Sequence, residues 1–129
     1  MNVLAPVSHV LIGGVAGLGG ARRFIATTLE EWGFAPDLIE GVGIVATELL
    51  TNAIVHAASE PVLGLDVDRG AVVLRVLDAS QRPPTPRARH TRDGHGFGLR
   101  MVEALSDGWG WEHYDVGKVV WARFRPPPA

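Results

Sequence analysis

Hydrophobic positions along this chain follow two different periods, which predict three helices among several strands. Over residues 21–32 apolar side chains recur every three or four positions, as in a helix with one buried face. Pro36 and Asp37 begin a second, longer helix that reaches about Ala58, because both residue types are favoured in a first helical turn. A third, short helix is predicted over residues 99–105.

The strands are predicted from short or alternating apolar runs that end at turn residues. They cover residues 10–12, 61–67, 71–77, 107–114 and 118–124. Asp68, Arg69 and Gly70 form a turn between the second and third runs, which predicts an antiparallel hairpin. Consecutive hairpins predict a two-layer α+β sandwich, with a mixed, mostly antiparallel sheet and the helices on one face. A doubly wound parallel sheet would need strands and helices in alternation, which this order lacks.

Length and composition are those of one ordinary globular domain, residues 1–129. The net charge of -2 argues against a general binder of nucleic acids or membrane surfaces, which needs a large basic excess. The absence of cysteine excludes disulfides, thiolate zinc sites and cysteine nucleophiles. The apolar N-terminal stretch has no basic residue before Arg22 and is interrupted by glycines, so we expect neither a signal peptide nor a membrane span. We therefore expect a cytoplasmic protein.

A row of polar residues runs along the second predicted helix. Glu48, Asn52 and His56 are spaced four apart and lie beside the apolar, core-facing positions. One interpretation is an amphipathic helix whose polar side lies near the edge of the core. The other is a magnesium-nucleotide site, because an amide oxygen is a hard ligand for Mg²⁺ and a glutamate one turn away can orient or deprotonate a hydroxyl. The row by itself does not decide between them.

Several segments, in a fixed order, carry a family resemblance. They are ARRF at residues 21–24, VATELLTNAIVHA at 45–57, VLD at 76–78, GHGFGL at 94–99 and GKVVWA at 117–122. This pattern resembles the Bergerat-fold, histidine-kinase-like ATPases, which include gyrase, heat-shock chaperones, histidine kinases and mismatch-repair proteins. Within them it is most similar to the single-domain anti-sigma-factor serine/threonine kinases of actinobacterial type. Each motif alone is weak, but their order and spacing over about residues 22–124 are specific.

The resemblance implies a site for ATP and Mg²⁺. Asn52 is expected to bind Mg²⁺, Glu48 to act as general base or to position water, and Asp78 to accept a hydrogen bond from the adenine amino group. A carboxylate there would select adenine over guanine, since a guanine carbonyl would leave the acceptors unpaired. The remaining predicted nucleotide-binding residues are Ser80, Gly94, Gly96, Phe97, Gly98 and Leu99.

Residues 79–95 are rich in arginine and proline and are predicted to form a mobile loop. This loop is either simply solvated or an ATP lid whose guanidinium groups meet the phosphates. Val119 departs from the family, because it stands where a threonine hydroxyl usually points towards Asp78. Loss of one hydrogen bond is expected to weaken adenine binding by about 1 kcal/mol.

Three functions remain open from the sequence. The first is a kinase that transfers the γ-phosphate of ATP to a hydroxyl of an antagonist protein and also sequesters a sigma factor. The second is a non-catalytic switch that binds ATP or ADP and controls a protein partner. The third is a degenerate module that keeps the fold for partner binding alone. A homodimer is also implied by the resemblance, whereas nucleic-acid and membrane partners are not expected.

Overall fold

The computed structural model describes residues 6–56, 60–79, 98–115 and 117–128. The elements in these ranges are β1 (Val7–Val10), α1 (Leu18–Glu31), α2 (Pro36–His56), β2 (Val62–Asp68), β3 (Ala71–Asp78), α3 (Gly98–Leu105), β4 (Gly108–Tyr114) and β5 (Gly117–Phe124). The strands form one five-stranded sheet in the order β1-β2-β3-β5-β4. All its pairings are antiparallel, so the predicted two-layer α+β fold is confirmed and its sheet is fully antiparallel rather than mixed.

The β2–β3 hairpin turns at Arg69 and Gly70, and Asp68, which was also predicted in the turn, is the last residue of β2. Arg69 has φ 52° and Gly70 has φ 83°, so both turn residues lie in the left-handed region. This turn type matches the natural twist of two antiparallel strands. It sets the register in which Leu65 pairs with Leu74, and both side chains are buried in the core.

Helix α2 is the central helix of the layer and packs against α1, α3 and β3. Its buried positions are Val42, Val45, Ala46, Leu49, Leu50 and Ala53. By length and composition the stretch Pro36–Val55 could also cross a membrane, with a mean hydropathy of 1.6. Only 33% of that stretch is buried, so its packing in the core accounts for part of this apolar character.

The predicted elements differ from the structure mainly near the N-terminus. The edge strand spans Val7–Val10 rather than residues 10–12, and Leu11 follows it as a fully buried residue whose backbone N–H binds the carbonyl oxygen of Pro61 at 3.0 Å. Helix α1 begins at Leu18, three residues before the predicted start. Glycines in the preceding segment hid this start, because glycine is a poor helix former. Beyond Ala79, the predicted lid over residues 79–95 lies outside the described residues.

Candidate nucleotide site

The polar row on α2 lies at the boundary between the core and an open surface. Glu48 and Asn52 are both half-buried. The apolar neighbours on one side of the row are buried, Val45 and Leu49, and those on the other side are exposed, Ile44 and Val55. The row is therefore accessible to a ligand from one side and backed by the core on the other. The third member of the predicted row, the His56 side chain, lies outside the described part of the chain.

The other polar side chains of this part of α2 are satisfied within the helix. The Thr47 hydroxyl donates to the carbonyl oxygen of Gly43 at 2.9 Å, and the Thr51 hydroxyl donates to that of Thr47 at 2.7 Å. By contrast, neither Glu48 nor Asn52 has a side-chain hydrogen bond or ion pair within the described residues. Half-buried polar groups without an internal partner are the groups that a ligand or ordered water would satisfy.

A groove of about 410 Å³ lies between α1 and α2 and reaches Glu48. It is lined by Arg22, Ile25, Ala26, Ile39, Glu40, Gly43, Ile44, Thr47 and Glu48. Neither Asn52 nor Asp78 lines this groove, so it is not the predicted base or metal site. Glu48 is the residue that the groove shares with the polar row.

Asp78 is the last residue of β3 and is 4% exposed. Its charged partner is Lys118, which the sequence motifs did not indicate. The ammonium of Lys118 lies 3.1 Å from Oδ1 and 3.0 Å from Oδ2 of Asp78. Lys118 is itself only 5% exposed and pairs with Asp78 in the β3–β5 register. The predicted buried carboxylate is thus part of a buried ion pair.

The β4–β5 hairpin also holds the main chain of Asp78. The Tyr114 hydroxyl donates to the Asp78 carbonyl oxygen at 3.3 Å. A β-carbon built on Gly117 would lie 1.9 Å from the same oxygen and 2.8 Å from the Cα of Ala79. Both contacts are with backbone, which cannot move aside as a side chain can, so only glycine fits this position. Tyr114, Gly117 and Lys118 together fix both the backbone and the carboxylate of Asp78.

The prediction that Val119 withholds a hydroxyl from Asp78 is wrong. Val119 pairs with Leu77, one position away from the Asp78–Lys118 pair. Because successive side chains of a strand point to opposite faces, Val119 points away from the face that carries Asp78. Lys118 occupies the position opposite the carboxylate. One sequence signal pointed to it, since it is the only lysine in the chain. The structure adds that it occupies one of the alternating buried positions of β5.

The remaining residues predicted to bind the nucleotide can be placed only in part. Ser80, Gly94, Gly96 and Phe97 lie outside the described residues. Gly98 begins α3, and the Leu99 side chain is 2% exposed and belongs to the hydrophobic core. A contact from Leu99 to a phosphate could therefore come only from its backbone N–H. The roles of all these residues stay predictions.

The donor set near Asn52 fits a metal that arrives with a ligand. The described residues contain no group of three or more histidine or carboxylate side chains that could hold a metal ion alone. Mg²⁺ commonly uses one or two protein oxygens and takes its other ligands from water and substrate phosphates. One amide oxygen, with a carboxylate one helical turn earlier, suits that mode of binding.

Comparison with known proteins agrees with this architecture. The chain matches the family described as the Histidine kinase-like ATPase domain over residues 15–124. No curated protein sequence matches it significantly. It is similar to the crystal structure of the RsbU and RsbW domains of Rv1364c from Mycobacterium tuberculosis, with 21% identity and a TM-score of 0.74, over 98% of this chain and 34% of that one. At that identity the similarity shows the fold, and the chain spans about a third of the other protein's length. The family match covers most of the chain, and the protein therefore belongs to the Histidine kinase-like ATPase domain family.

Proposed function

We propose that this domain binds ATP together with Mg²⁺ and that nucleotide binding controls a protein partner. The observation that carries the proposal is the pair Glu48 and Asn52, which are half-buried, lie one helical turn apart on α2 and have no partner within the described residues. Because the chain belongs to an ATPase family, we expect the ligand of this pair to be a nucleotide with its metal ion. The buried carboxylate of Asp78 supplies a separate recognition point for the base.

Each residue has a distinct task in this proposal. The amide oxygen of Asn52 holds the metal that accompanies the nucleotide, and Mg²⁺ supplies charge neutralisation at the phosphates. The carboxylate of Asp78 accepts a hydrogen bond from the exocyclic amine of adenine. The backbone N–H groups at the start of α3, at Gly98 and Leu99, face the phosphates, because the first N–H groups of a helix have no partner within it.

Thermal unfolding in the presence of nucleotide tests this site. A ligand present at about 100 times its dissociation constant stabilises the native state by about 2.7 kcal/mol, which raises the Tm of a domain of this size by several degrees. We expect Mg-ATP to produce such a rise and Asn52→Ala to remove most of it. Thr51→Ala is the matched control, since that hydroxyl is bonded to the carbonyl oxygen of Thr47 and should not contribute to binding. No rise in Tm at millimolar Mg-ATP would refute the nucleotide site.

We further propose that the domain is a serine/threonine kinase of the anti-sigma-factor type. In this reaction a hydroxyl oxygen of an antagonist protein bonds to the γ-phosphorus, and the bond from that phosphorus to the β,γ-bridging oxygen breaks, releasing ADP. Glu48 accepts the hydroxyl proton. The groove between α1 and α2 supports this assignment, because it offers a partner segment a path along Arg22 and Glu40 to Glu48. A sigma factor as a second partner, and a homodimer, stay predictions from the family resemblance.

Phosphate transfer from γ-labelled ATP to serine-containing candidate antagonists tests the kinase assignment. Glu48→Gln is expected to lower the transfer rate by about 100-fold or more while leaving Mg-ATP binding in place, because general bases typically contribute factors of that order. Glu31→Gln is the matched control, since Glu31 is exposed at the end of α1 and does not line the groove. Undiminished transfer in Glu48→Gln would reject its role as base. Nucleotide binding without transfer to any candidate would instead favour an ATP- or ADP-dependent switch.

A further inference from the structure

The groove between α1 and α2 carries a carboxylate that the proposed phosphate transfer does not use. The groove has a volume of about 410 Å³, and most of its wall is apolar or small: Ile25, Ala26, Ile39, Gly43 and Ile44. Two carboxylates lie on its α2 side, those of Glu40 and Glu48. Glu48 is assigned to the hydroxyl proton, so Glu40 is the carboxylate of the groove that has no task yet.

Glu40 has no partner inside the described part of the protein. Its side chain is exposed and makes no hydrogen bond or ion pair with the described residues. An acidic residue stabilises the positive end of a helix mainly within the first turn, and Asp37 occupies the first turn of α2. The charge of Glu40 is therefore available to a group that enters the groove.

The one basic residue of the groove and Glu40 lie at different ends. All the described lining residues belong to α1 and α2, which are joined through residues 32–35 and therefore run antiparallel. Counting from this connection along both helices places Arg22 level with the Glu48 end of the groove. Residues 24–68 contain no lysine or arginine, so neither helix supplies a basic side chain at the Glu40 end. That end is complementary to a basic group of a partner.

The spacing of residues along α2 fits an extended segment. Glu40, Ile44 and Glu48 are four residues apart on one face, so the two carboxylate residues are about 12 Å apart along the helix. Alternate side chains of an extended chain point to the same side, and four of its residues span about 13 Å. A segment with its hydroxyl at Glu48 therefore brings its second next residue to the exposed Ile44 and its fourth to Glu40.

Resting on the kinase reaction proposed above, we infer that Glu40 determines the specificity of this groove for its protein substrate. It selects segments in which a serine or threonine, an apolar residue and a lysine or arginine occupy alternate positions. The apolar side chain covers Ile44, and the basic side chain pairs with Glu40. Because the Glu40 carboxylate is exposed, this pairing gives a modest preference that salt weakens.

Fluorescence anisotropy with short labelled peptides tests the inference. The probe has serine, leucine and arginine at alternate positions with alanine elsewhere, and it is made in both chain directions. At low salt we expect the better direction to bind about tenfold more tightly than its analogue with glutamate for arginine, since attraction is replaced by repulsion. Glutamine in place of leucine should weaken binding by about tenfold, through loss of apolar burial.

Two charge-reversal variants locate the preference. Glu40→Lys should reverse the order of the arginine and glutamate peptides. Glu103→Lys is the matched control and should keep the wild-type order, because Glu103 is exposed on α3 and does not line the groove. Both positions are exposed, so neither substitution should disturb the core.

The outcomes separate the inference from the function on which it rests. Wild-type protein that binds the arginine and glutamate peptides equally, or binds no peptide at millimolar concentration, would overturn the inference. An unchanged order in Glu40→Lys would do the same. The Tm in Mg-ATP reports the nucleotide site independently, so a normal rise in Tm without a charge preference overturns the inference alone. No rise in Tm would refute the proposed function, and the inference with it.

Discussion

Replacing Lys118 with methionine should be the most costly change to a charged residue in the described part of this protein. Methionine is close to lysine in length but leaves the Asp78 carboxylate without its counter-ion. The two side chains are only 6% and 3% exposed, so little water reaches the carboxylate to replace the ammonium. Breaking a buried pair in this way costs about 3–5 kcal/mol. That is a large part of a total stability that is about 5–15 kcal/mol for a typical domain.

The double variant Asp78→Asn/Lys118→Met should recover part of this loss. With both charges removed, no buried ion remains to be compensated, so the double variant should be more stable than Lys118→Met alone. Asp78→Asn alone should cost less than Lys118→Met, because the flexible lysine stem can turn its ammonium towards water. The coupling energy between the two positions should reach about 2 kcal/mol, within the range measured for residues in direct contact.

Urea unfolding followed by tryptophan fluorescence measures these differences as shifts in the midpoint at constant slope. The exposed ion pair of Arg75 and Asp66 provides the control, with a distance of 3.6 Å and side chains 43% and 26% exposed. Arg75→Met should cost at most about 1 kcal/mol, as exposed pairs contribute little. A loss of stability in Lys118→Met no larger than that in Arg75→Met would contradict this prediction. So would a double variant in which the separate effects at Asp78 and Lys118 simply add.

Two glycine substitutions on the sheet and one in a helix give further predictions. Gly117→Ala should destabilise by about 3 kcal/mol or more in urea unfolding, because its β-carbon would overlap backbone at Asp78; an unchanged midpoint would contradict that close approach. Gly41→Ala, whose β-carbon would meet nothing within 4 Å, should instead stabilise the protein by about 0.5–1 kcal/mol, because alanine is the better helix former. A loss of stability would show that the surroundings of residue 41 are more crowded than described. Gly110→Ala should cost about 1–3 kcal/mol and shift tryptophan emission, because its β-carbon would lie 2.8 Å from the Trp121 ring; unchanged emission would speak against that packing.

The local elements could be predicted because their signals are local. The α2 helix shows its period over 21 residues, and the β2–β3 hairpin is marked by its turn. The start of α1 could not be placed in the same way, since glycine carries little information about helix boundaries. Likewise, the short strand β1 owes its position to pairing with β2 rather than to its own four residues.

In the candidate site, too, the features that depend on local spacing could be predicted and those that depend on strand pairing could not. The placement of Glu48 and Asn52 on one face follows from helical spacing alone, so the sequence was sufficient. The partner of Asp78 depends on the register between β3 and β5, which are separated by 40 positions at the Asp78–Lys118 pair. A shift of one residue moves every side chain of a strand to the other face. Val119 was therefore predicted near Asp78, whereas the register places Lys118 there.

Calorimetric titration of the wild-type domain with ATP, in Mg²⁺ and then in EDTA, tests the central claim most directly. In Mg²⁺ we expect saturable one-site binding with a Kd well below 1 mM, that is, a binding free energy more favourable than about -4.1 kcal/mol. In EDTA we expect weaker binding. Asn52→Ala should bind ATP equally weakly in both conditions, because it lacks the amide oxygen assigned to the metal. No detectable binding by the wild-type protein at millimolar Mg-ATP, or a Mg²⁺ dependence that Asn52→Ala leaves intact, would contradict the account.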